Sequence, residues 1–424
     1  MKIQSCLAVF LFLAGPVFGQ VLVTRGSPPA PPSSYEGIVA SRGIQPNTSD
    51  TTNRSFNSRV VMFWRDIPTS VSVILGNFYV RGSGIEQGNG GSFTCTGSIE
   101  YPAGTFNQLL WSASPSVTVN DLSTAKSDYI TPSKAPVLGD AFYVRTYCTT
   151  VVGFTVQGRM CNNSGINYGE AFNSSTGALS DLTLGGTITN NQNVRYYPIM
   201  VVGQTTKPSI VIWGDSIGAG NLSFQDSVCD VGSVALNLGS LFAYTNFSQD
   251  GNCMGGSNGV INGPTIRKTL IHYASDQIVM LGLNDIFHCS RTAAQALADA
   301  QTMAGWATSL GLKAWSSTIS PKSSSTDGWI TLVNQTTGTF NPARVAFNDT
   351  LRAGLAGLTG YFETADQVES SRNSGIFGCY GDLTCGGGAG GIALTTDGEH
   401  LGGNSGKGYL QLTAGYPPSM IHRP

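Results

Sequence analysis

The stretch PSIVIWGDSIGAG, residues 208 to 220, decides the fold. Its first half is an apolar run with the length of a buried strand, and its second half is rich in glycine and contains Asp215 and Ser216. A strand that is apolar along its length is typical of a parallel sheet covered on both faces. A serine on a tight turn after such a strand can present its hydroxyl to a ligand. The stretch therefore predicts an α/β fold with a polar site where this strand ends.

The chain after residue 204 alternates between strand and helix patterns. Further strand-like runs lie at 241–248, at 277–283, from Lys313 and near Tyr361, and helical patterns lie at 292–310 and 342–358. This alternation predicts a three-layer α/β sandwich with a parallel sheet over residues 205–424. Ligands of such sheets bind beyond the carboxyl ends of the strands.

The chain before residue 205 differs in composition and in its pattern of predicted secondary structure. Residues 1–19 combine a basic start, a short apolar run and a small residue at position 19, which indicates a signal peptide and a secreted or periplasmic protein. Residues 20–55 are rich in Pro, Ser and Gly and predict a flexible lead-in. Residues 56–204 hold short strand-like runs between turn residues and predict an all-β, sandwich-like accessory domain.

Charge and hydropathy exclude several classes of protein. Charged residues make up 11% of the 424 residues, and the formal net charge is −2. This balance argues against a nucleic-acid partner held by phosphate contacts and against a polybasic membrane-surface protein. No other segment reaches 18 apolar residues, so no membrane span is expected in the mature chain.

The cysteines favour disulfides over a metal site. Removal of the signal segment leaves eight cysteines, an even number that fits disulfides in an exported chain. No pair has the two-residue spacing of common zinc sites, and only four histidines are present, so we expect no metal or cofactor. The pairings cannot be derived from the sequence, but short separations favour Cys148 with Cys161 and Cys379 with Cys385.

A nucleophilic role for Ser216 needs a base, and the four histidines can be sorted one by one. His400 has Asp397 three residues earlier, a spacing that can bring the carboxylate to the imidazole and leave the other nitrogen for the serine. His272 is expected on a helix face, His422 lies close to the C-terminus, and His288 follows the third strand as a possible substrate contact. The alternative interpretations are a helix cap for Ser216 and a turn stabilised by Asp397.

Acyl transfer also requires donors for a developing oxyanion. Asn284 lies at the end of the third strand and can offer its side-chain NH2 group. Gly251 follows the second strand and can offer a backbone N–H with no side chain in the way. Each residue also fits an ordinary turn.

Three motif blocks occur in a fixed order: G-D-S at 214–216, G-x-N-D at 282–285 and D-x-x-H at 397–400. In this order they resemble the SGNH (GDSL-type) hydrolase family. The resemblance implies a flavodoxin-like α/β domain without cofactor, with Ser216 as nucleophile and His400 as base oriented by Asp397. It also implies an oxyanion hole formed by the backbone N–H groups of Ser216 and Gly251 and by the Asn284 side chain, with Gly239 as an alternative to Gly251.

Together with the signal-like N-terminus and the β-rich first half, the resemblance implies an exported serine esterase acting on short O-acyl esters, above all O-acetyl esters, of carbohydrates or on small esters. Three alternatives stay open: a lipase or thioesterase of the same fold, a catalytically inactive exported carbohydrate-binding protein, and the α/β-hydrolase fold. The last is disfavoured because an all-β stretch precedes the serine turn. The polar insertion at 321–329 and the Gly-rich stretch at 385–391 are expected to shape the rim of the site.

Overall fold

The fold is taken from a computed structural model, which describes residues 33–421 apart from 83, 157–167, 225, 258 and 264–265. The predicted signal peptide, the first part of the lead-in and His422 lie outside the described residues.

The first half of the chain is built from strands, and its described residues contain no α-helix. The strands are β1 (Tyr35–Ile38), β2 (Ala40–Ser41), β3 (Gly43–Ile44), β4 (Thr48–Asp50), β5 (Ser55–Trp64), β6 (Val71–Asn77), β7 (Tyr79–Val80), β8 (Glu86–Gln87), β9 (Phe93–Glu100), β10 (Phe106–Gln108), β11 (Ser116–Val119), β12 (Ser123–Lys126), β13 (Ala141–Thr150), β14 (Phe154–Val156), β15 (Ala171–Ser175) and β16 (Met200–Thr205).

Two antiparallel sheets dominate this half. One has the order β1-β16-β6-β12, and the other has the order β10-β9-β13-β5-β15, with β11 paired to β9 and β2 paired to β5. Alternate side chains of β5 and β6, such as Val60, Met62, Val73 and Leu75, belong to one buried apolar cluster. The prediction of a region built only from strands is thus confirmed for the described residues, while the sandwich-like domain stays a prediction.

The described residues of the second half add strands, α-helices and short 3₁₀ turns. The strands are β17 (Ser209–Gly214), β18 (Ala243–Asn246), β19 (Asp276–Met280), β20 (Lys313–Ser317), β21 (Ser323–Ser325), β22 (Gln335–Thr337) and β23 (Gly360–Phe362). The helices are α1 (Ser233–Leu238), α2 (Ile266–Leu270), α3 (Leu283–Phe287), α4 (Ala293–Thr308), α5 (Asn341–Gly354), α6 (Ala365–Val368) and α7 (Gly403–Thr413). Within the described residues, none of these helices has the length and apolar character needed to cross a bilayer.

A six-stranded parallel sheet forms the centre of the second half, in the order β23-β20-β19-β17-β18-β3. Five of its strands lie where the sequence predicts them, and β17 is buried along its whole length. The longest predicted helix is α4, which begins after a capping box formed by Thr292 and Gln295. Gly311, with a φ of +74°, follows its end. The predicted parallel α/β sheet is confirmed.

The sixth strand, β3, comes from the segment predicted as a flexible lead-in, so that prediction is wrong for residues 35–55. β3 pairs with β18, and a Cβ atom at Gly43 would collide with the carbonyl of Ile199 and lie 2.7 Å from Thr245 Oγ1. Val39 and Ala40 are fully buried. These strands are only two to four residues long. Because Pro and Gly residues surround them, the sequence shows no strand pattern here. Tertiary contacts, and not local propensity, order these strands.

The disulfides confirm one expected pairing and correct the other. Cys379 is bonded to Cys385 as expected, and Cys253 is bonded to Cys289. Cys148 is bonded to Cys95 and not to Cys161. The reason is the strand register, since Cys95 and Cys148 are direct partners on β9 and β13 with Cα atoms 4.1 Å apart.

A buried ion pair joins the two halves of the chain. Arg267 of α2 and Glu86 of β8 are both almost completely buried, and Arg267 Nε lies 2.9 Å from Glu86 Oε1. Arg267 Nη1 also donates to Gln45 Oε1 at 3.1 Å. Breaking a buried pair by removing one charge leaves the other uncompensated, which is far more costly than loss of an exposed pair.

We therefore expect Glu86→Gln to lower the free energy of unfolding by about 3–5 kcal/mol, measured by urea or thermal unfolding. The matched control is Asp140→Asn, which removes the acid of an exposed pair with Lys134 and should cost at most about 1 kcal/mol. Equal effects of the two variants would contradict a role for the Glu86–Arg267 pair in holding the halves together.

Candidate active site

Ser216 lies on the turn that follows β17. Hydrogen bonds from Ala219 N to Asp215 O (2.8 Å) and from Asn221 N to Ser216 O (2.7 Å) close this turn. A Cβ atom at Gly214 would lie 2.5 Å from Ser248 Oγ, so a residue with a side chain would push the turn away from the loop after β18. The G-D-S block thus holds Ser216 at the carboxyl end of the central strand.

His400 connects Ser216 to Asp397. Its Nε2 atom lies 2.8 Å from Ser216 Oγ, and its Nδ1 atom lies 2.7 Å from Asp397 Oδ2. Asp397 Oδ1 also accepts the backbone N–H groups of Glu399 (2.9 Å) and His400 (2.8 Å). Asp397 therefore both stabilises the turn and contacts the imidazole, so the two interpretations of the D-x-x-H block are compatible.

The environment of Asp397 favours its charged form. Burial acts to raise the pKa of this carboxyl, but hydrogen bonds from the His400 ring and from the backbone N–H groups of Glu399 and His400 outweigh it and lower the pKa. An ionised carboxylate in this position can stabilise an imidazolium on His400.

The loop after β18 lies beside the serine turn. Gln249 N donates to Gly214 O at 3.1 Å, and Asn252 Nδ2 donates to the same carbonyl at 3.0 Å. Gly251, with a φ of +78°, lies between them in the chain, and a Cβ atom at this position would meet no other atom within 4 Å. Gly239, by contrast, ends α1, where a Cβ would lie 2.5 Å from Asp230 Oδ2. Of the two candidate glycines, Gly251 is on the loop that contacts the serine turn.

Asn284 is at the start of α3, directly after β19, and is 2% exposed. Its side chain donates to the backbone carbonyl of Asn252 at 3.2 Å. Asn252, which the sequence analysis missed, therefore joins the loop of Gly251, the turn of Ser216 and the helix of Asn284. Among the described residues, no hydrogen bond uses the backbone N–H of Ser216.

The remaining histidines have other partners. His272 lies in a 3₁₀ turn after α2, and its Nδ1 atom is 2.6 Å from Thr269 O. His288 caps the end of α3, and its Nε2 atom lies 3.3 Å from Glu399 Oε1 and 3.2 Å from Lys322 Nζ. Neither Lys322 nor Glu399 was singled out from the sequence, although the insertion that contains Lys322 was.

Asp215 is a second carboxyl close to Ser216, and it is 1% exposed. Burial is the main reason that its pKa is raised to about 7, and the negative charge of Glu399 raises it as well. The hydrogen bond from Ile217 N acts in the opposite direction and lowers the pKa. The side chain lines a cavity of about 20 Å³ together with Ser317 and Tyr416. A space of this size holds about one water molecule.

No protein-family model matches the chain, and no curated protein matches its sequence. Solved structures similar to the chain include a GDSL-like lipase from Bacteroides thetaiotaomicron, which is 13% identical over 49% of this chain and 84% of that chain, with a TM-score of 0.32. A family two carbohydrate esterase from Clostridium thermocellum, solved in complex with cellohexaose, is 13% identical over 77% and 88% of the two chains, with a TM-score of 0.28. A carbohydrate esterase of family 3 from Talaromyces cellulolyticus is 14% identical over 50% and 96%, with a TM-score of 0.31. The proposed function therefore rests on the motif blocks and on the geometry of the site.

The raised pKa of Asp215 predicts a pH-dependent stability that Asp215→Asn removes. Between pH about 4 and 7 the folded protein keeps a proton on Asp215 that the unfolded chain releases, so this group makes the folded state less stable as pH rises. The stability of the variant relative to the parent should therefore increase by up to about 4 kcal/mol across this window, at about 1.4 kcal/mol for each pKa unit. Urea unfolding at a series of pH values measures the difference, and identical slopes in both proteins would contradict the assignment.

Proposed function

We propose that the protein is an exported serine esterase that removes short O-acyl groups, acetyl foremost, from carbohydrate hydroxyls. The observation that carries the proposal is the chain of two hydrogen bonds from Ser216 Oγ through the His400 ring to Asp397 Oδ2. A serine becomes a nucleophile when a neighbouring base takes its proton, and a carboxylate that fixes the base in one tautomer completes the arrangement.

The first half of the reaction forms an acyl-enzyme. Ser216 Oγ attacks the carbonyl carbon of the ester while its proton passes to His400 Nε2. The negative charge that develops on the carbonyl oxygen is stabilised by the backbone N–H groups of Ser216 and Gly251 and by the side-chain amide of Asn284. The alcohol then leaves with the proton from His400.

The second half releases the acid. Water attacks the acyl group on Ser216 while His400 accepts a proton from the water, and the same three donors stabilise the second oxyanion. Collapse of this intermediate transfers the proton from His400 back to Ser216 Oγ. Asp397 stays ionised throughout, because its hydrogen bonds keep its pKa low.

The choice of a carbohydrate substrate rests on the resemblance of the three motif blocks, on the signal-like N-terminus and on a β-rich first half that resembles an accessory binding module. Three kinds of substrate distinguish the proposed esterase from a lipase and from a thioesterase. Acetylated sugars and polysaccharides test the proposed substrate, and p-nitrophenyl esters of increasing chain length distinguish a short-acyl esterase from a lipase. Thioesters test whether the protein is a thioesterase of the same fold.

We expect Ser216→Ala to abolish hydrolysis of p-nitrophenyl acetate, because no other hydroxyl of the described residues contacts His400 Nε2. Release of p-nitrophenol is the measurement. The matched control, Ser309→Ala, changes an exposed serine at the end of α4 and should keep the parent rate. A parent without activity on any ester would leave a carbohydrate-binding protein as the better interpretation, and a Ser216→Ala variant as active as the parent would overturn the role proposed for Ser216.

We expect Asn284→Ala to lower kcat about 10²- to 10³-fold with little change in KM, because the amide would stabilise charge that exists only in the transition state. Steady-state kinetics on the best ester of the screen measure both constants. An increase in KM alone would place Asn284 in substrate binding instead.

A further inference from the structure

The turn that contains Asp397 and His400 contacts a cluster of polar side chains that lies outside the Ser216–His400–Asp397 arrangement. Glu399, between these two residues, has its Oε2 atom 2.7 Å from Lys322 Nζ and its Oε1 atom 3.3 Å from His288 Nε2. Lys322 Nζ also lies 3.2 Å from His288 Nε2, so the three side chains contact one another. We call these three residues the Glu399 cluster.

Lys322 belongs to the polar insertion that follows β20, and this insertion packs directly on the catalytic turn. Ser323 N donates to Gly398 O at 3.1 Å. A Cβ atom at Gly398 would collide with the carbonyl of Ser323 and lie 2.7 Å from the Trp329 ring. The insertion and the turn therefore contact each other through backbone as well as side chains.

His288 connects the same turn to the helix of Asn284. The helix α3 is only five residues long, with Asn284 at its start and His288 as its C-cap. The backbone N–H of His288 donates to the carbonyl of Asn284 at 2.8 Å. A contact that fixes His288 thus also fixes the helical turn that carries Asn284.

We propose that Lys322, Glu399 and His288 are positioning residues that fix the turn of His400 relative to the helix of Asn284. Their contacts set the relative placement of the proposed base and the proposed oxyanion donor around Ser216. The inference rests on the function proposed above, and none of the three residues needs to touch the substrate.

The position of the cluster favours an effect on rate over an effect on stability. Lys322 and Glu399 keep 23% and 15% of their side-chain surface exposed, and His288 keeps 53%. Ion pairs that reach solvent contribute little to the free energy of folding. A displacement of about 1 Å between reacting groups, however, can cost about a hundredfold in rate.

The experiment compares Lys322→Met, Glu399→Gln and the double variant with the parent on p-nitrophenyl acetate, with Ser216→Ala as the blank. Each single change should lower kcat about ten- to a hundredfold with KM within about twofold of the parent. The double variant should lose no more than the more damaging single change, because both break the same contact. Lys322→Arg, which keeps a cation able to reach Glu399, should restore most of the rate.

The matched control is Lys134→Met, which removes a lysine from the exposed pair with Asp140 in the first half of the chain and should keep the parent kcat. Thermal unfolding should show Lys322→Met folded and within a few degrees of the parent. A Lys322→Met variant as active as the control, or one with a raised KM and an unchanged kcat, would overturn the positioning role.

A spectroscopic measurement separates failure of this inference from failure of the proposed function. The proton between His400 Nδ1 and Asp397 should give a far-downfield NMR resonance in the parent and in Lys134→Met, whether or not an ester is hydrolysed. The resonance should shift or broaden in Lys322→Met and Glu399→Gln. An unchanged resonance in both variants would overturn the inference, whereas a parent without Ser216-dependent hydrolysis would overturn only the function.

Discussion

The carbonyl of Gly214, the last residue of β17, accepts hydrogen bonds from Gln249 N and from Asn252 Nδ2, and the site depends on this arrangement. Neighbouring parallel strands end at the same edge of a sheet, so the segments after β17, β18 and β19 start close together. The two bonds to Gly214 hold the loop after β18 against the serine turn. Asn284 Nδ2, donating to Asn252 O, brings the segment after β19 to the same place.

Much of this arrangement could be predicted from the sequence, because the information is local. The apolar run before Gly214 and the three-residue spacing of Asp397 and His400 each specify a short piece of backbone with its side chains. Asn252 and Glu399 could not be found in this way. Each acts through a partner more than 30 residues away, and only the packing of the strands brings these partners together.

The strand β3 and the Cys95–Cys148 bond could not be predicted from the sequence for a related reason. Two residues flanked by turn formers carry no periodic signal, and Gly43–Ile44 becomes a strand only because the edge of β18 is present to receive it. The disulfide depends on the register of β9 and β13, which the spacing of the cysteines does not encode. Short sequence separation favoured Cys161 instead, and separation is a weak guide when two long strands pair.

Buried ion pairs connect the two halves of this charge-poor chain. Besides Glu86 with Arg267, Arg65 from the end of β5 lies 3.6 Å from Asp230, which also accepts a hydrogen bond from Tyr244 of β18 at 2.6 Å. Burial raises the pKa of Asp230 to about 7 despite the nearby Arg65. Since β3 also forms the edge strand of the parallel sheet beside β18, the first half is part of the framework on which the site is built.

Asp215 and Asp397 show how the same side chain obtains opposite properties within one site. Asp397 is partly exposed and receives hydrogen bonds from His400, so its pKa falls, whereas Asp215 is enclosed beside a small cavity and its pKa rises to about 7. Environments that shift the pKa values of two carboxyl groups in opposite directions suit these groups to different roles. In the proposed mechanism Asp397 is the charged partner of a protonated His400. Below pH 7 the raised pKa of Asp215 reduces its charge beside Ser216, so in the proposed mechanism the imidazolium is stabilised by Asp397, the carboxylate that contacts the ring.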